Sequence, residues 1–167
     1  MEAQGLLIAW HSRTGASRAM AEAAFEGARA ASQSDDDVRL MAADEVGADN
    51  LLRAAAYLFV CPENLASMSG QMKEMFDRCY YPVLGKLQGR AYGTIIAAGS
   101  DGEGAQRQID RIATGWRLKR VCEPMIANFN AQTPESIRAI KQVPAAIIKN
   151  CKFMGGGLVE GLKLGIY

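Results

Sequence analysis

Short apolar runs and amphipathic stretches alternate along the chain. Leu6–Trp10 is apolar throughout and too short for a helix. Met20, Ala23, Ala24, Gly27 and Ala28 then recur at helical spacing within an Ala-rich stretch from about Ala16 to Ala31. Ser34-Asp35-Asp36-Asp37 is a polar turn, Val38–Met41 a short strand, and Asp44 to Arg53 a weak helix with Leu51 and Leu52 near its end. Ala55–Cys61 predicts a second strong strand, stopped by Pro62. A loop follows, Pro62–Ser69. Met72, Met75, Phe76 and Cys79 then fall at i, i+3, i+4 and i+7 on a helix closed by Pro82.

Tyr92–Ala98 predicts a third strong strand, entered by Gly89 and ending at Gly-Ser-Asp-Gly-Glu-Gly, Gly99 to Gly104. The next helix buries Ala105, Ile109, Ile112 and Ala113 and turns Arg107, Gln108, Asp110 and Arg111 to water. Arg120–Ala127 is a last strand. Thr133 as cap and Pro134 in first position open a closing helix. Pro144 breaks or restarts it, and Gly155-Gly156-Gly157 weakens its final stretch.

This alternation argues for one α/β domain, residues 1–167, around a parallel sheet. The strands are near-continuous apolar runs, as expected when helices cover both faces. There is no internal repeat and no low-complexity linker. The chain of 167 residues, 49% apolar and 22% charged, is long enough to bury a full core. A net charge of +1 supplies no field that steers it to nucleic acid or an anionic membrane. No apolar run approaches the ~18 residues of a membrane span. The start, Met-Glu-Ala-Gln-Gly, lacks the basic opening and apolar block of a signal peptide, so a cytoplasmic location is expected. Cys61, Cys79, Cys122 and Cys151 form no C-x-x-C pair, and His11 is the only histidine. No metal site is expected, and the thiols read as small buried hydrophobes.

In open parallel sheets, ligands bind outside the carboxyl ends of the strands. The loops His11–Ser17, Pro62–Ser69 and Gly99–Gly104 fall there, rich in Gly, Ser, Thr, Asn and Asp. The first runs from a strand through hydroxyl residues into a helix, whose free N–H groups and dipole make a seat for phosphate. The Walker signature G-x-x-x-x-G-K-[ST] is absent, and so is G-x-G-x-x-G in the first loop. A tyrosine-phosphatase loop needs arginine six residues after cysteine; those positions hold Ser67, Gly85, Asn128 and Gly157. A receiver domain needs an aspartate closing its third strand, where this chain has Cys61-Pro62-Glu63.

Ser12-Arg13-Thr14-Gly15-Ala16-Ser17 fits [ST]-x-T-G-x-[ST] at every fixed position, and in this it resembles the phosphate loop of the flavodoxin-like flavoproteins. Pro62 to Lys73, closing on Met-Ser-Gly-Gln-Met-Lys, is similar to the flavin loop of the NAD(P)H:quinone oxidoreductase and FMN reductase branch. The resemblance implies a flavodoxin-like three-layer sandwich with a five-stranded parallel sheet in the order 2-1-3-4-5. It implies FMN. Ser12, Thr14 and Ser17, with the N–H groups of Arg13, Gly15 and Ala16, would hold the phosphate. Pro62, Glu63, Asn64, Leu65, Ala66, Ser67 and Met68 would line the isoalloxazine. Gly99, Ser100, Asp101 and Gly102 would close its other side. No side chain is implied as nucleophile.

The activity implied is transfer of electrons from NAD(P)H through flavin to a quinone or similar small acceptor. The chain is shorter than typical tetrameric quinone reductases, so their assembly is not implied, and a homo-oligomer stays open beside the small-molecule acceptor as partner. The alternatives are an electron carrier without its own NAD(P)H turnover and a flavin-binding regulator. Electron-carrier flavodoxins sandwich the flavin between aromatic residues and are strongly acidic, whereas these loops offer Leu65 and Met68. His11 reads either as a donor to ligand or as a loop residue without special role. Tyr80 and Tyr81 read as ring-stacking groups or helix-end packing, and Glu63 and Asp101 as flavin contacts or caps.

Overall fold

The computed structural model describes residues 3–34 and 37–167, so Asp35 and Asp36 of the polar turn lie outside the described residues. The elements run β1 (Leu6–Trp10), α1 (Ala16–Ala31), β2 (Val38–Ala42), α2 (Ala48–Arg53) and β3 (Ala56–Asn64). Then come β4 (Ser67–Met68), α3 (Gly70–Val83), β5 (Ala91–Ala98) and α4 (Glu103–Gly115). The chain closes with β6 (Lys119–Arg120), β7 (Met125–Asn128), α5 (Pro134–Arg138) and α6 (Ala145–Lys163).

The strands pair in the order β2-β1-β3-β5-β6, with β7 also on β5 and β4 on β3. All pairs are parallel except β3 with β4. The sheet is therefore seven-stranded and not the expected five-stranded one. Two local causes account for the difference. The last predicted strand, 120–127, is broken into β6 opposite Ala91 and Tyr92 and β7 opposite 95–98. Pro124 sits in the break; it has no N–H to give a ladder and restricts Glu123 before it. The other addition is β4, made by a hairpin where the sequence suggested only a loop.

Pro62 does not stop β3. It lies opposite Ala97 of β5, and the strand runs on to Asn64. The last residue of β1, Trp10, is opposite Val60, so by Pro62 that flank of β3 is already an edge. An edge is where a strand tolerates proline.

Alternate residues of β1 and β3 serve opposite faces. Leu6, Ile8, Leu58 and Val60 pack beneath α1 and α6, while Leu7, Ala9, Tyr57 and Phe59 pack beneath α3 and α4. Both sets are buried, which is why the strands read as unbroken apolar runs. Met72 and Met75 are fully buried, and Trp116 meets Phe76 edge-on in the same layer.

The triple glycine does not interrupt α6, and its first member, Gly155, is what lets α6 lie against α1. A Cβ on Gly155 would come within 1.9 Å of Ala24 O, and one on Gly27 within 2.0 Å of Lys152 O. The two backbones touch where side chains would hold them apart. Among the described residues no helix is long and apolar enough to cross a membrane.

The glycines of α6 therefore differ in consequence. Gly155→Ala should cost about 3 kcal/mol in urea unfolding, because helix backbones must separate. Gly157→Ala, with nothing within 4 Å of the added Cβ, should gain about 0.5–1 kcal/mol by restricting the unfolded chain.

Candidate functional site

A cavity of about 660 Å³ opens at the carboxyl edge of the sheet. That is within the ~300–1,000 Å³ usual for small-molecule sites. Its first wall is the turn from β1 into α1, with Ser12, Arg13, Thr14, Ala16 and Ser17. The second is the end of β3 and its hairpin, Pro62 to Ala66. The third is the end of β5, 97–100. A fourth wall, absent from the sequence reading, comes from Phe129, Ala131, Ile137, Arg138 and Lys141.

The first wall is shaped by Gly15, which caps α1 at φ 90°, a left-handed conformation open to glycine. Its N–H donates to Ser12 Oγ at 3.1 Å and closes the turn. That N–H is therefore spent, contrary to the role the resemblance gave it; the Ser12 O–H remains free to donate. Ser17 is buried, and its Oγ has no hydrogen-bond partner. A buried hydroxyl left unpaired is costly, so such a group in a cavity wall points to a polar ligand.

Behind this turn, His11 Nδ1 and Ser69 Oγ share a hydrogen bond of 2.8 Å. The bond ties the end of β1 to the start of α3, and His11 does not line the cavity. Burial, then the neighbouring Arg13 charge, lowers the pKa of His11 from its ordinary 6.5, with Asp44 acting in the opposite sense.

The second wall ends in a two-residue turn. Glu63 faces Met68 and Asn64 faces Ser67, leaving Leu65 and Ala66 between them. Their φ values, 52° and 61°, are both left-handed. This is the geometry of a type I′ turn, normally built from Asn and Gly, and each L-residue held there costs about 1–2 kcal/mol. The strain sits at the cavity mouth, with the Leu65 side chain fully exposed.

Glu63 joins the second wall to the third. Its Oε1 accepts from Gly102 N at 2.9 Å and its Oε2 from Ala105 N at 3.0 Å. The carboxylate thus caps α4, and although Glu63 lines the cavity both oxygens are engaged with backbone. Beneath it, burial pushes the Cys61 thiol up to about 12, which leaves no thiolate for chemistry at neutral pH.

Twelve of the expected residues line the cavity: Ser12, Arg13, Thr14, Ala16, Ser17, Pro62, Glu63, Asn64, Leu65, Ala66, Gly99 and Ser100. Gly15, Ser67, Met68, Asp101 and Gly102 do not. Met68 is buried in the core layer beneath α3 and α4, with its N–H on Gln108 Oε1 at 2.9 Å. Ser67 is its neighbour in β4, and the Ser67 hydroxyl donates to Met68 O. Gly102 is buried at the cap of α4, and Asp101 faces solvent. Tyr80 and Tyr81 pair with each other near the end of α3, away from the cavity. The one aromatic among the described lining residues is Phe129. Its signal was present in the sequence: 128–132 follows the last strand, so it obeys the same strand-end rule as the other loops.

Residues 32–131 match the model of the NADPH-dependent FMN reductase family. The chain belongs to this family. The matched segment holds the second and third walls of the cavity and stops at Ala131. Over 99 residues the chain is 36% identical to a flavodoxin of Aquifex aeolicus (strain VF5), a stretch covering 59% of this chain and 50% of that protein. The chain thus spans about half the length of this curated relative. A flavodoxin from the domain Archaea superposes with a TM-score of 0.76 at 19% identity, covering 96% of this chain and 99% of its own. A flavodoxin, WrbA-like protein from Agrobacterium tumefaciens gives 0.75 at 18% identity, covering 97% and 99%. At these identities the likeness is one of fold, and it makes this member of the FMN reductase family flavodoxin-like in architecture.

Two outcomes test this geometry. Glu63→Ala should lose about 2–3 kcal/mol of stability to chemical denaturation, because two N–H groups of α4 lose a charged acceptor. Glu63→Gln, keeping one oxygen, should lose roughly half of that. The pH dependence follows from His11. Its folded pKa lies below its ordinary 6.5, so the unfolded chain binds the proton more readily. Stability from this group is full above about 6.5 and is lost as pH falls through and below that value. Denaturant midpoints should decline from about pH 7.5 to about pH 5.5, and His11→Gln should flatten that decline.

Proposed function

We propose that FMN binds in the cavity and that the protein is an oxidoreductase passing electrons from NAD(P)H to a quinone or similar small acceptor. The unpartnered Ser17 Oγ in the wall of the β1–α1 turn carries this reading. The hydroxyls of Ser12, Thr14 and Ser17 and the open N–H groups of the first α1 turn hold the phosphate. The donor set suits a phosphate monoester: several neutral donors at a helix N-terminus, with the dipole favouring negative charge.

FMN, when bound, supplies reversible two-electron chemistry. The chain supplies position. Pro62 to Ala66 and 97–100 form the two sides of a slot whose spacing Glu63 fixes through its bonds to Gly102 and Ala105. Ala97, Ala98 and Gly99 present little side chain, so a ligand approaches their backbone closely. Leu65 and Ala66 shield the opposite side from water. No protein nucleophile takes part. Among the described lining residues Phe129 is the one aromatic, and this with a net charge of +1 favours turnover over a carrier role.

Titration of the purified protein with FMN, followed by flavin absorbance, should give a stoichiometric complex. Ser17→Ala should weaken it by about tenfold, the loss of one hydrogen bond to a charged acceptor. The wild-type complex should oxidise NAD(P)H steadily with menadione as acceptor. Tight FMN binding without NAD(P)H oxidation would reassign the protein as an electron carrier. Protein that takes up no FMN would sink both readings.

A further inference from the structure

The fourth cavity wall belongs to neither flavin-loop motif. It is a strap, 129–141, stitched to the site at both ends. Phe129 N donates to Ala98 O and Ala131 N to Gly99 O, both at 2.8 Å. At the other end Lys141 N donates to Thr14 O at 2.9 Å. Between these stitches lies α5, and Ile140 Cγ2 would be only 3.7 Å from a Cβ on Gly15. The end of α5 therefore rests over the start of α1.

Two basic residues of the strap line the cavity, and they are not equivalent. Lys141 Nζ donates to Ser136 O at 2.8 Å, Ile137 O at 3.0 Å and Ala139 O at 2.6 Å. All three ammonium donors serve the C-terminal carbonyls of α5. Arg138 has no hydrogen-bond or ion-pair partner among the described residues, and it shares the cavity with Ser12, Thr14 and Ser17. The only acidic lining residue described, Glu63, already has both oxygens on backbone N–H groups. Arg13, within the turn, reaches outward to Gln71 Oε1 at 3.5 Å. Arg138, an exposed residue, is thus left without a partner among the described residues in the lining of a cavity whose wall also carries an unpaired buried hydroxyl. A planar guanidinium matches the oxygens of a phosphate better than any other side chain.

We infer that Arg138 is a specificity residue, which closes over the terminal phosphate of the bound flavin from the strap and makes the site select phosphorylated flavin over riboflavin. This rests on the FMN reading above and adds to it a residue outside both flavin-loop motifs. The neutral β1–α1 turn forms the seat, and Arg138 supplies the charge that the turn itself does not aim inward. No bond is made or broken.

The test is equilibrium titration of the flavin-free chain with FMN and with riboflavin, followed by flavin fluorescence. Wild type should bind FMN more tightly than riboflavin. Arg138→Gln should weaken FMN about five- to tenfold at low salt and leave riboflavin unchanged. Arg138→Lys should recover part of the loss. Arg107→Gln, the same charge change on the outer face of α4, should move neither ligand. Raising salt to about 0.5 M should shrink the gap between wild type and Arg138→Gln. An equal loss for both flavins would make Arg138 a packing residue of the strap and overturn the inference, as would no loss at all. Wild type binding both flavins equally would also overturn it while leaving the cavity as a flavin site. Wild type binding neither would remove the FMN reading and this inference together.

Discussion

The first turn of an α-helix cannot satisfy its own N–H groups, and this protein meets that constraint in two ways. Helices α1 and α4 both start from a left-handed glycine, Gly15 and Gly102, just beyond a strand of the sheet. At α4 the donors are answered from within, because Glu63 spans Gly102 N and Ala105 N. At α1 Gly15 N is answered by Ser12, no other acceptor is found for the first-turn N–H groups among the described residues, and Ser17 Oγ stands unpaired in the cavity wall. One helix start is a structural joint. The other is left open toward the cavity. The same geometry does both jobs, and a single carboxylate decides which is which.

The joint matters because the site is built from loops. Glu63 locks the β3–β4 hairpin to α4, so the strained Leu65–Ala66 turn, although exposed, is anchored at its base. Left-handed backbone at two L-residues persists only where neighbours over-determine it. Behind the turn at 12–15, α1 is backed by α6 at backbone contact, through Gly27 and Gly155. Close packing of this kind makes the helix carrying the seat rigid, which is what a site for a defined anion requires. His11 and Ser69 tie the same turn to α3. The cavity is thus a gap between well-anchored elements, closed on its fourth side by a strap that reaches it only through tertiary hydrogen bonds.

Much of this was legible in the residues. The alternation of apolar runs and amphipathic stretches gave strands at 6–10, 38–41, 55–61 and 92–98, within a residue of the observed ends apart from the extension of β3 past Pro62, because in a doubly covered parallel sheet both faces are buried and period-2 patterning is erased. The hydroxyl-rich turn at 12–17 and the polar loops after β3 and β5 were readable because ligand sites in such sheets sit at carboxyl strand ends. The misreadings share one cause. Pro62 looked like a stop, but the cost of a missing N–H depends on whether a neighbouring strand is present on that side, and β1 has already ended there. Gly155 looked like a weakness, but its value comes from Ala24, far away in the sequence. Leu65 and Ala66 carry no turn signal, because the hairpin is held from outside by α4, through Gly102 and Ala105 on Glu63 and through Gln108 on Met68.

Local chemistry and spacing were sufficient to set the α/β fold class and to mark the strand-end loops, the first of them rich in hydroxyls at a helix start. These follow from periodicity, from the absence of side-chain bulk and from unsatisfied helix N–H groups, all of which are written in neighbouring residues. Only the folded chain decided which polar groups are already spent and which remain free. Glu63 is engaged with the distant backbone of α4, Ser17 Oγ has no partner, and neither residue's own neighbourhood in sequence tells which is which. Hydrogen-bond satisfaction is a property of contacts between distant segments, so it is settled by packing.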